Sequence, residues 1–385
     1  MSSSSLMNTR FGYGDPMPRT ILHVAQPTVD GVARCVADLV RAQTGRGIRA
    51  VVASPGDGDL RTWAENDGAE HRLWKALRSP GLQVPLETAS LRTIIRSVEP
   101  DVVHLHSSKA GLAGRLALRG TRPTVFQPHA WSFEASEGVM RKAAVRWERV
   151  AARWSDAIVC VSEAERRAGE AAGIGAPWRV IPNGVDLVKW TAAGSDDRDA
   201  ARRALGLDDA PLAICVGRLS RQKGQDVLLE AWRSVMLEVP AAHLVFLGAG
   251  PEEEALRRLA SPSVSFAGRR NDVDKWLAAC NLVVLPSRWE GMALTVLEAM
   301  ARARSVVTTQ VAGANETVGD AAGEVVGVED AGALARALSE RLADPVRADA
   351  EGRRGRERVE ASYDLARTTS EVEDLYTQVL SRRQE

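Results

Sequence analysis

Residues 286–300 read Pro-Ser-Arg-Trp-Glu-Gly-Met-Ala-Leu-Thr-Val-Leu-Glu-Ala-Met. The apolar run of residues 282–285 just before them predicts a buried parallel strand, and residues 294–303 predict a helix. The stretch between the two is therefore a strand-to-helix loop. In an open α/β sheet such loops lie beyond the carboxyl ends of the strands, where ligands bind. This stretch thus predicts an α/β fold with a ligand site at the loop.

The same stretch carries two carboxylates, Glu290 in the loop and Glu298 in the helix. Glu298 has apolar neighbours on both sides, where a carboxylate without a partner would cost about 1–3 kcal/mol. A pair of sugar or ribose hydroxyls would satisfy it. The backbone N–H groups at the start of the helix can in addition hold phosphate.

A second strand-to-helix loop carries two basic side chains. Residues 212–216 predict a strand, a helix begins near Gln225, and Arg218 and Lys223 lie between them. Fixed cations at this place can stabilise the negative charge that develops on a departing diphosphate. The loop is not a Walker A motif, because its order is Lys-Gly and no Ser or Thr follows to hold Mg²⁺. A solvated basic loop is the alternative.

The chain alternates strands and helices twice. Strands are predicted at residues 21–25, 50–54, 102–106 and 124–126, and again at 213–217, 244–247, 264–266, 282–285 and 306–309. The helix-length segments between them include residues 32–46 and 91–98, which predicts parallel sheets. With 385 residues the chain exceeds the ~250–300 at which one core stops growing. We therefore predict two Rossmann-like domains, residues 1–190 and 191–363, with a polar linker at 191–199.

Five segments in order along residues 20–380 carry a resemblance to a known family. They are residues 160–163 (Cys-Val-Ser-Glu), 181–186 (Ile-Pro-Asn-Gly-Val-Asp), 216–224 (Val-Gly-Arg-Leu-Ser-Arg-Gln-Lys-Gly), 266–273 (Phe-Ala-Gly-Arg-Arg-Asn-Asp-Val) and 286–300. Their order and spacing resemble the retaining glycosyltransferases of family 4. That family has the GT-B fold, in which two Rossmann-like doubly wound domains face each other across a cleft.

The resemblance assigns a role to each part of the chain. It implies that residues 1–190 bind the acceptor, that residues 191–363 bind the nucleotide sugar, and that residues 181–186 form the hinge. It also implies that the amphipathic C-terminal helix, residues 364–385, crosses back onto the first domain.

The resemblance also implies the residues of the donor site. Arg218 and Lys223 would stabilise the leaving diphosphate without a metal, while Glu290 would hold a hydroxyl of the donor sugar and Glu298 the ribose. The remaining donor-binding candidates are the backbone amides of Gly291, Met292, Ala293, Leu294 and Thr295, and the base-binding loop with Arg269 and Arg270. The alternatives are an exposed loop acid for Glu290, and for Glu298 a helix acid paired with an arginine such as Arg218.

The first domain contributes its own candidates at the ends of its strands. His129 follows a strand, and the resemblance implies that it approaches the donor sugar and the reacting centre; a structural histidine is the alternative. The family has two adjacent glycines before its first helix, which let backbone amides approach the diphosphate or the acceptor. Here only Gly31 is kept, as a further donor-binding candidate, and Asp30 replaces the other glycine. Asp30 is a candidate to bind an acceptor hydroxyl or to cap the helix. Ser107, Ser108 and Lys109 are candidates to bind acceptor or phosphate, with a helix cap as the alternative.

We predict no metal site and no cofactor. His104 and His106 lie on one face of a strand, as two metal ligands would, but no third ligand lies near them in the sequence. The cysteines form no CxxC pair, which predicts reduced thiols in the cytoplasm; they are Cys35, Cys160, Cys215 and Cys280. The sequence lacks an apolar run of about 18 residues and an apolar segment near its N-terminus, so neither a spanning helix nor a secretory signal is predicted.

The two halves differ in the sign of their charge. Residues 1–190 carry 25 Lys and Arg against 19 Asp and Glu, a net +6, and the remaining residues carry −6. Residues 139–154 form a basic amphipathic segment whose apolar stripe is Trp147, Val150, Ala151 and Trp154. The two features favour peripheral contact with an anionic membrane or a phosphate-bearing acceptor. The alternatives are a chance imbalance and a stripe that faces the core.

The sequence therefore predicts a metal-independent, retaining transferase that moves a sugar from a nucleotide diphosphate sugar, with UDP as the expected nucleotide. The acceptor would be a hydroxyl of a saccharide, a lipid-linked sugar or a small molecule, in polysaccharide or glycolipid assembly. No nucleic-acid partner is expected. Two alternatives stay open: a nucleotide-sugar epimerase or phosphorylase-like enzyme of the same architecture, and a non-catalytic sugar-nucleotide-binding subunit.

Overall fold

The computed structural model of the protein describes residues 18–384. The expectation of no secretory signal concerns residues 1–17 and lies outside the described residues. The rest of the chain forms two parallel sheets with helices on both faces. None of the helices described is both long and apolar enough to cross a membrane.

The first sheet has seven strands. Its helices are α1 (Asp30–Gly45), α2 (Leu60–Asn66), α3 (Val84–Val98), α4 (Ser107–Leu118), α5 (Gly138–Ala151) and α6 (Glu163–Ala171). Its strands are β1 (Thr20–Ala25), β2 (Arg49–Ser54), β3 (Glu70–Leu73), β4 (Val102–His106), β5 (Thr124–Gln127), β6 (Ala157–Cys160) and β7 (Trp178–Val180). Their spatial order is β3-β2-β1-β4-β5-β6-β7. The chain order reverses between β1 and β4, so the loops after these two strands flank one crevice.

The second sheet repeats this topology with six strands in the order β10-β9-β8-β11-β12-β13. These strands are β8 (Leu212–Val216), β9 (His243–Leu247), β10 (Val264–Gly268), β11 (Leu282–Leu285), β12 (Ser305–Thr309) and β13 (Gly323–Val326). The helices are α7 (Ser195–Leu205), α8 (Gln225–Glu238), α9 (Glu253–Leu259), α10 (Val273–Ala279), α11 (Leu294–Ala301), α12 (Ala314–Val318), α13 (Ala331–Ala343) and α14 (Pro345–Ser362). Here the reversal falls between β8 and β11, which are the strands that precede the basic loop and the acidic loop.

The chain passes between the halves twice, and the two passages lie side by side. Val185 pairs with Asp364 in an isolated parallel bridge. The last helix, α15 (Leu365–Gln384), then packs on the first sheet. Its buried residues Val372, Tyr376 and Val379 share one apolar cluster with Ile21 of β1 and with Val102 of β4. The end of the chain thus completes the core of the first half.

Two details of the predicted organisation differ in the structure. The linker predicted at residues 191–199 is shorter, because α7 already begins at Ser195, and the carboxylate of Asp197 accepts a hydrogen bond from the Gly194 backbone N–H at 2.9 Å. The strands β3, β6, β7 and β13 were not predicted. Each has only three or four residues, so none of them shows a period in the sequence, and β3, β7 and β13 also lack the continuous burial of β5 and β11.

Candidate active site

The basic loop after β8 and the acidic loop after β11 are joined by backbone contacts. The Gln222 side-chain amide donates to the Trp289 carbonyl at 3.0 Å, and the Arg288 backbone N–H donates to the Gln222 carbonyl at 2.7 Å. Gly224 has φ +64°, and a Cβ added there would lie 2.0 Å from the Pro286 carbonyl oxygen. Glycine at position 224 therefore allows the two loops to touch.

Lys223 and Glu290, predicted separately from the two loops, form an ion pair. The Lys223 Nζ lies 2.5 Å from Glu290 Oε1, which also accepts a hydrogen bond from the Ser287 hydroxyl at 2.9 Å. Both side chains are partly exposed, at 21% and 13%. A ligand in the cleft can therefore reach both charges.

Arg218 lies in the same loop, half-buried, and forms no ion pair within residues 18–384. Its charge acts on Arg78, which comes from the segment between β3 and α3 of the other half. Burial lowers the pKa of Arg78, the nearby Arg218 lowers it further, and Asp30 opposes the change. A second guanidinium near Arg78 makes its charged form more costly, and an anion bound beside the two would offset this cost. Arg78 could not be predicted from the sequence, since it belongs to no motif.

His129 meets the acidic loop through its backbone. It has φ +56°, and a Cβ added to Gly291 would lie 2.9 Å from the His129 carbonyl carbon. Its Nε2 lies 3.2 Å from His106 Nδ1, and burial lowers the pKa of His129 to about 3. The structure thus brings a neutral His129 next to the loop that carries Glu290. Met292 and Ala293 complete this loop, and Leu294 and Thr295 begin α11.

Glu298 faces the first half of the molecule and not Arg218. Burial raises its pKa to about 7, the positive charges of Arg34 and Lys189 oppose this rise, and Asp38 adds to it. The same four side chains line one small cavity between the halves. Arg218 is therefore not the partner of Glu298, because the cationic neighbours of Glu298 are Arg34 and Lys189, both from residues 1–190.

The raised pKa of Glu298 predicts a pH dependence of donor binding. If the ionised carboxylate holds the ribose, a pKa near 7 means that its charged fraction rises about tenfold between pH 6 and pH 8. We expect the Kd of an intact nucleotide sugar to fall by up to about tenfold over this range, as measured by calorimetry. The Glu298→Gln variant should bind more weakly with a flat profile. Equal pH slopes in the two proteins would contradict the assignment.

Arg269 and Arg270, the base-binding candidates, both have partners within the protein. Arg269 forms an ion pair across the cleft with Asp59 at the start of α2. Arg270 pairs with Asp272 at 2.7 Å. Both arginines are exposed, so these pairs contribute little and a ligand can displace them. The loop remains a candidate, whereas neither guanidinium is poised for a base in this arrangement.

Asp30 and Gly31 border the cleft. Asp30 is exposed and is the first residue of α1, whose N-cap is Val29, so the helix-cap alternative for Asp30 is wrong. Among the described residues, no heavy atom outside its chain neighbours and its own helix lies within 4 Å of the position that a Cβ would take at Gly31. The start of α1 thus borders open space into which a ligand group fits.

Lys109 is not available to an acceptor, which corrects the prediction for this residue. Its side chain is 3% exposed, and its Nζ lies 2.5 Å from Glu87 Oε2. The other oxygen of Glu87 accepts a hydrogen bond from the Leu77 backbone N–H at 2.9 Å. Lys109 therefore stabilises the segment that carries Arg78. Ser107 donates to the Gln26 carbonyl, whereas Ser108 is half-buried and stays a candidate.

The third ligand that the metal hypothesis lacked does exist in the fold. His23 of β1 pairs in register with His104 of β4. His23, His104 and His106 are fully buried, and each offers one ring nitrogen within 4.8 Å of the others. The sequence could not show this group, because His23 comes from a strand far away along the chain.

Two doubly wound domains with charged loops at their facing switch points define the GT-B class of glycosyltransferases. Residues 29–189 match the family described as Glycosyltransferase Family 4, and residues 210–344 match Glycosyl transferases group 1. One relative is the GDP-mannose-dependent monoacylated alpha-(1-6)-phosphatidylinositol monomannoside mannosyltransferase of Corynebacterium glutamicum. It is 30% identical over 88% of this chain and 91% of its own length. The protein belongs to glycosyltransferase family 4, as its motifs predicted, and is a glycosyltransferase.

Other similarities agree with this assignment. The UDP-Gal:alpha-D-GlcNAc-diphosphoundecaprenol alpha-1,3-galactosyltransferase of Escherichia coli is 28% identical over 74% of this chain and 78% of its own length. The solved structure of HepE from Anabaena in complex with UDP-glucose has a TM-score of 0.81 at 22% identity, covering 93% of this chain and 99% of that one. WaaG, a glycosyltransferase involved in lipopolysaccharide biosynthesis, has a TM-score of 0.72 at 18% identity, covering 93% and 99%. These structures confirm the predicted fold.

Proposed function

We propose that the enzyme transfers a hexose from a nucleoside diphosphate sugar, without a metal, to a hydroxyl of a lipid-linked or saccharide acceptor in glycolipid or polysaccharide synthesis. The observation that carries the proposal is the joined pair of loops, which presents Lys223, Arg218 and Glu290 to one cleft. The cations suit the diphosphate, and the carboxylate suits a hydroxyl of the sugar.

The leaving group requires charge stabilisation, because cleavage of the glycosidic bond places negative charge on the diphosphate. Arg218 has no carboxylate partner within the described residues, and Lys223 is held in place by Glu290. Side chains can therefore supply the positive charge that a divalent ion supplies in other transferases. Their positions are set by the folded loops before the donor arrives.

Retention of the anomeric configuration is part of the proposal. The name of the Escherichia coli relative prints an alpha-1,3-galactosyltransferase that uses UDP-Gal, and the name of the Corynebacterium glutamicum relative prints alpha-(1-6). The common nucleoside diphosphate hexoses are themselves α-linked. The carboxylate closest to the cations, Glu290, is already bonded to Lys223 and to Ser287, so it suits the binding of a hydroxyl better than nucleophilic attack. We infer attack from the face that the diphosphate leaves.

The acceptor would bind on the first half, beside Asp30 and Ser108. The relatives named above act on acceptors attached to lipids. Helix α5 supports peripheral contact with a membrane, because Val139 and Met140 at its start are 81% and 69% exposed next to Arg141 and Lys142. Its predicted stripe is only partly exposed, since Ala151 is buried and Val150 is 37% exposed. The cytoplasmic location stays a prediction.

A donor screen tests the proposed function. We expect one class of nucleotide sugar to raise the melting temperature, because binding to the folded state stabilises it by mass action. The sequence predicts a UDP-sugar, whereas the name of the Corynebacterium glutamicum relative prints GDP-mannose, so these two donors are compared first. ADP- and dTDP-sugars complete the panel.

The donor that binds is then incubated with acceptors. We expect slow release of nucleotide without an acceptor and faster release with a polyprenyl-diphosphate sugar or a mannosylated phosphatidylinositol. Mass spectrometry then identifies the product, and NMR identifies its linkage. Interconversion of the free donor sugars would instead identify an epimerase. Binding without turnover across the acceptor panel would identify a non-catalytic subunit.

A further inference from the structure

Three histidines and Gln43 form a continuous hydrogen-bonded chain that runs from the cleft into the core of the first half, with a fourth histidine beside it. His129 Nε2 lies 3.2 Å from His106 Nδ1, and His106 Nε2 lies 3.0 Å from His23 Nδ1. His23 Nε2 then lies 2.8 Å from the Oε1 of Gln43 on α1. His104 lies beside the chain, with its ring centre 3.9 Å from that of His106. The chain connects a candidate active-site residue to a buried amide.

The rings of this chain are neutral. His23, His104 and His106 are fully buried, and no carboxylate of the described residues forms a hydrogen bond with any of the four rings. A charged imidazole without a counter-ion in such a place would be costly. In agreement, burial lowers the pKa of His23 to about 4 and those of His104 and His106 well below the ordinary value. Each ring therefore has one N–H and one lone pair.

The direction of the whole chain is decided at its buried end. An amide oxygen only accepts, so His23 donates from Nε2 to Gln43 and its Nδ1 carries a lone pair. His106 must then donate from Nε2 to His23, and His129 must donate from Nε2 to His106. The Nδ1 of His129 is left with a lone pair and has no hydrogen-bond partner within residues 18–384. A reversed Gln43 amide would reverse every donor and acceptor in the chain.

The surroundings of Gln43 favour the orientation in which its oxygen faces His23. Gln43 is fully buried, and the phenol of Tyr376 on α15 lies near it. Burial raises the pKa of Tyr376, and the Gln43 amide opposes this rise, as an N–H group turned toward the phenol oxygen does. The Tyr376 hydroxyl in turn lies 2.7 Å from His104 Nδ1. The Gln43 Nε2 forms no hydrogen bond with the phenol or with any other described residue, so the orientation of the amide rests on the bond from His23 Nε2 to its Oε1 and on its electrostatic effect on Tyr376.

The rings of His23, His104 and His106 could be taken for a metal site, but their hydrogen bonds argue against it. His23 and His106 each use both ring nitrogens in bonds to other side chains. A metal would have to break the bond between them, and it would bring two positive charges into a region without an acidic ligand. The hydrogen-bonded chain needs neither change.

We propose that Gln43 is a positioning residue that, through His23 and His106, fixes His129 as the Nε2–H tautomer, so that its Nδ1 accepts a hydrogen bond from a hydroxyl of the donor sugar. The fixed tautomer follows from the hydrogen-bonded chain together with the orientation of the Gln43 amide, and only its use in sugar binding rests on the proposed function. The buried Gln43 amide thus decides whether His129 Nδ1 presents a hydrogen-bond acceptor or a hydrogen-bond donor to the cleft.

The test is nitrogen NMR of the ligand-free protein at neutral pH. The protein has six histidines, and single His→Gln variants assign their NMR signals. We expect His129 to show a pyrrole-type Nε2 and a pyridine-type Nδ1. Gln43→Met removes the acceptor at similar size and should produce a mixture of tautomers at His129. Gln43→Glu keeps an acceptor oxygen and should restore the single tautomer.

Activity with the donor found in the screen is the second readout. We expect Gln43→Met to lower kcat/KM about two- to tenfold and Gln43→Glu to recover most of it. An Nδ1–H tautomer at His129 in the wild-type protein would overturn the proposal even if neither variant folds. So would a stoichiometric metal in the purified protein that the His23→Gln variant loses. Absence of sugar transfer would contradict the proposed function, while the NMR result would stand by itself.

Discussion

Lys223→Met is expected to lower kcat by about 10²–10³-fold, the usual effect of removing one preorganised group that stabilises developing charge. Lys223 is held 2.5 Å from Glu290, so its amine is in place before the diphosphate departs. Arg218→Met should lower kcat by a similar factor. The Arg218 guanidinium has no carboxylate partner within the described residues, so no internal acid takes the place of a donor phosphate beside it. Steady-state kinetics with saturating acceptor measure both.

The control for these variants lies in the same loop. Arg221 is 76% exposed, and its nearest acid, Glu137, is 3.9 Å away. Arg221→Met removes the same charge at a position that faces solvent, and we expect kcat within about twofold of wild type because exposed pairs of this kind contribute little. If all three variants lost activity equally, net charge and not position would explain the result. Melting temperatures check that each variant is folded.

Glu290→Gln is the second change for which we expect a large effect. A hydrogen bond to a charged group contributes about 1.5–3 kcal/mol, so its loss in the transition state corresponds to about 10- to 150-fold in kcat/KM for the donor. The substitution keeps the size of the side chain while removing its charge. Lys223 then loses its ionic partner, so part of the effect would come from a displaced amine.

A deoxy donor separates the two contributions. If Glu290 holds a sugar hydroxyl, a donor that lacks this hydroxyl should react slowly with the wild-type enzyme and suffer little further loss in the variant. Glu254→Gln is the matched control, since this acid is 88% exposed and pairs only with Arg258 on the same helix. If Glu290→Gln lowered kcat/KM by the same factor with every deoxy donor as with the intact donor, Glu290 would act only by placing Lys223.

The features that could be predicted from the sequence are those that depend on residues close together in the chain. The strands β4 and β11 were predicted at their observed bounds, and the loops that follow β8 and β11 were predicted to face one ligand. Lys223 and Glu290 do meet, because both follow strands at the switch point of one sheet. Strand-to-helix loops are predictable in this way since their position depends on topology more than on side-chain packing.

What the sequence could not show depends on contacts between distant segments. Lys109 was predicted to face a ligand, yet it is buried against Glu87, a helix away. Arg78 and Arg34 reach the cleft from parts of the first half that carry no motif. The pairing of His23 with His104 requires the register of β1 on β4, which only the folded sheet specifies. Such residues have no signature at the level of spacing or composition.

The side-by-side passages at Val185 and Asp364 restrict how the two halves can move. A single connecting strand would act as a ball joint, whereas two strands in contact resist twisting and sliding. A Cβ added to Gly184 would lie 2.6 Å from the Leu365 Cα, so the backbones of the two passages are in close contact here. Rotation about the line of these strands is left as the softest degree of freedom. Each turnover would then bring His129 and Glu290 together along the same arc.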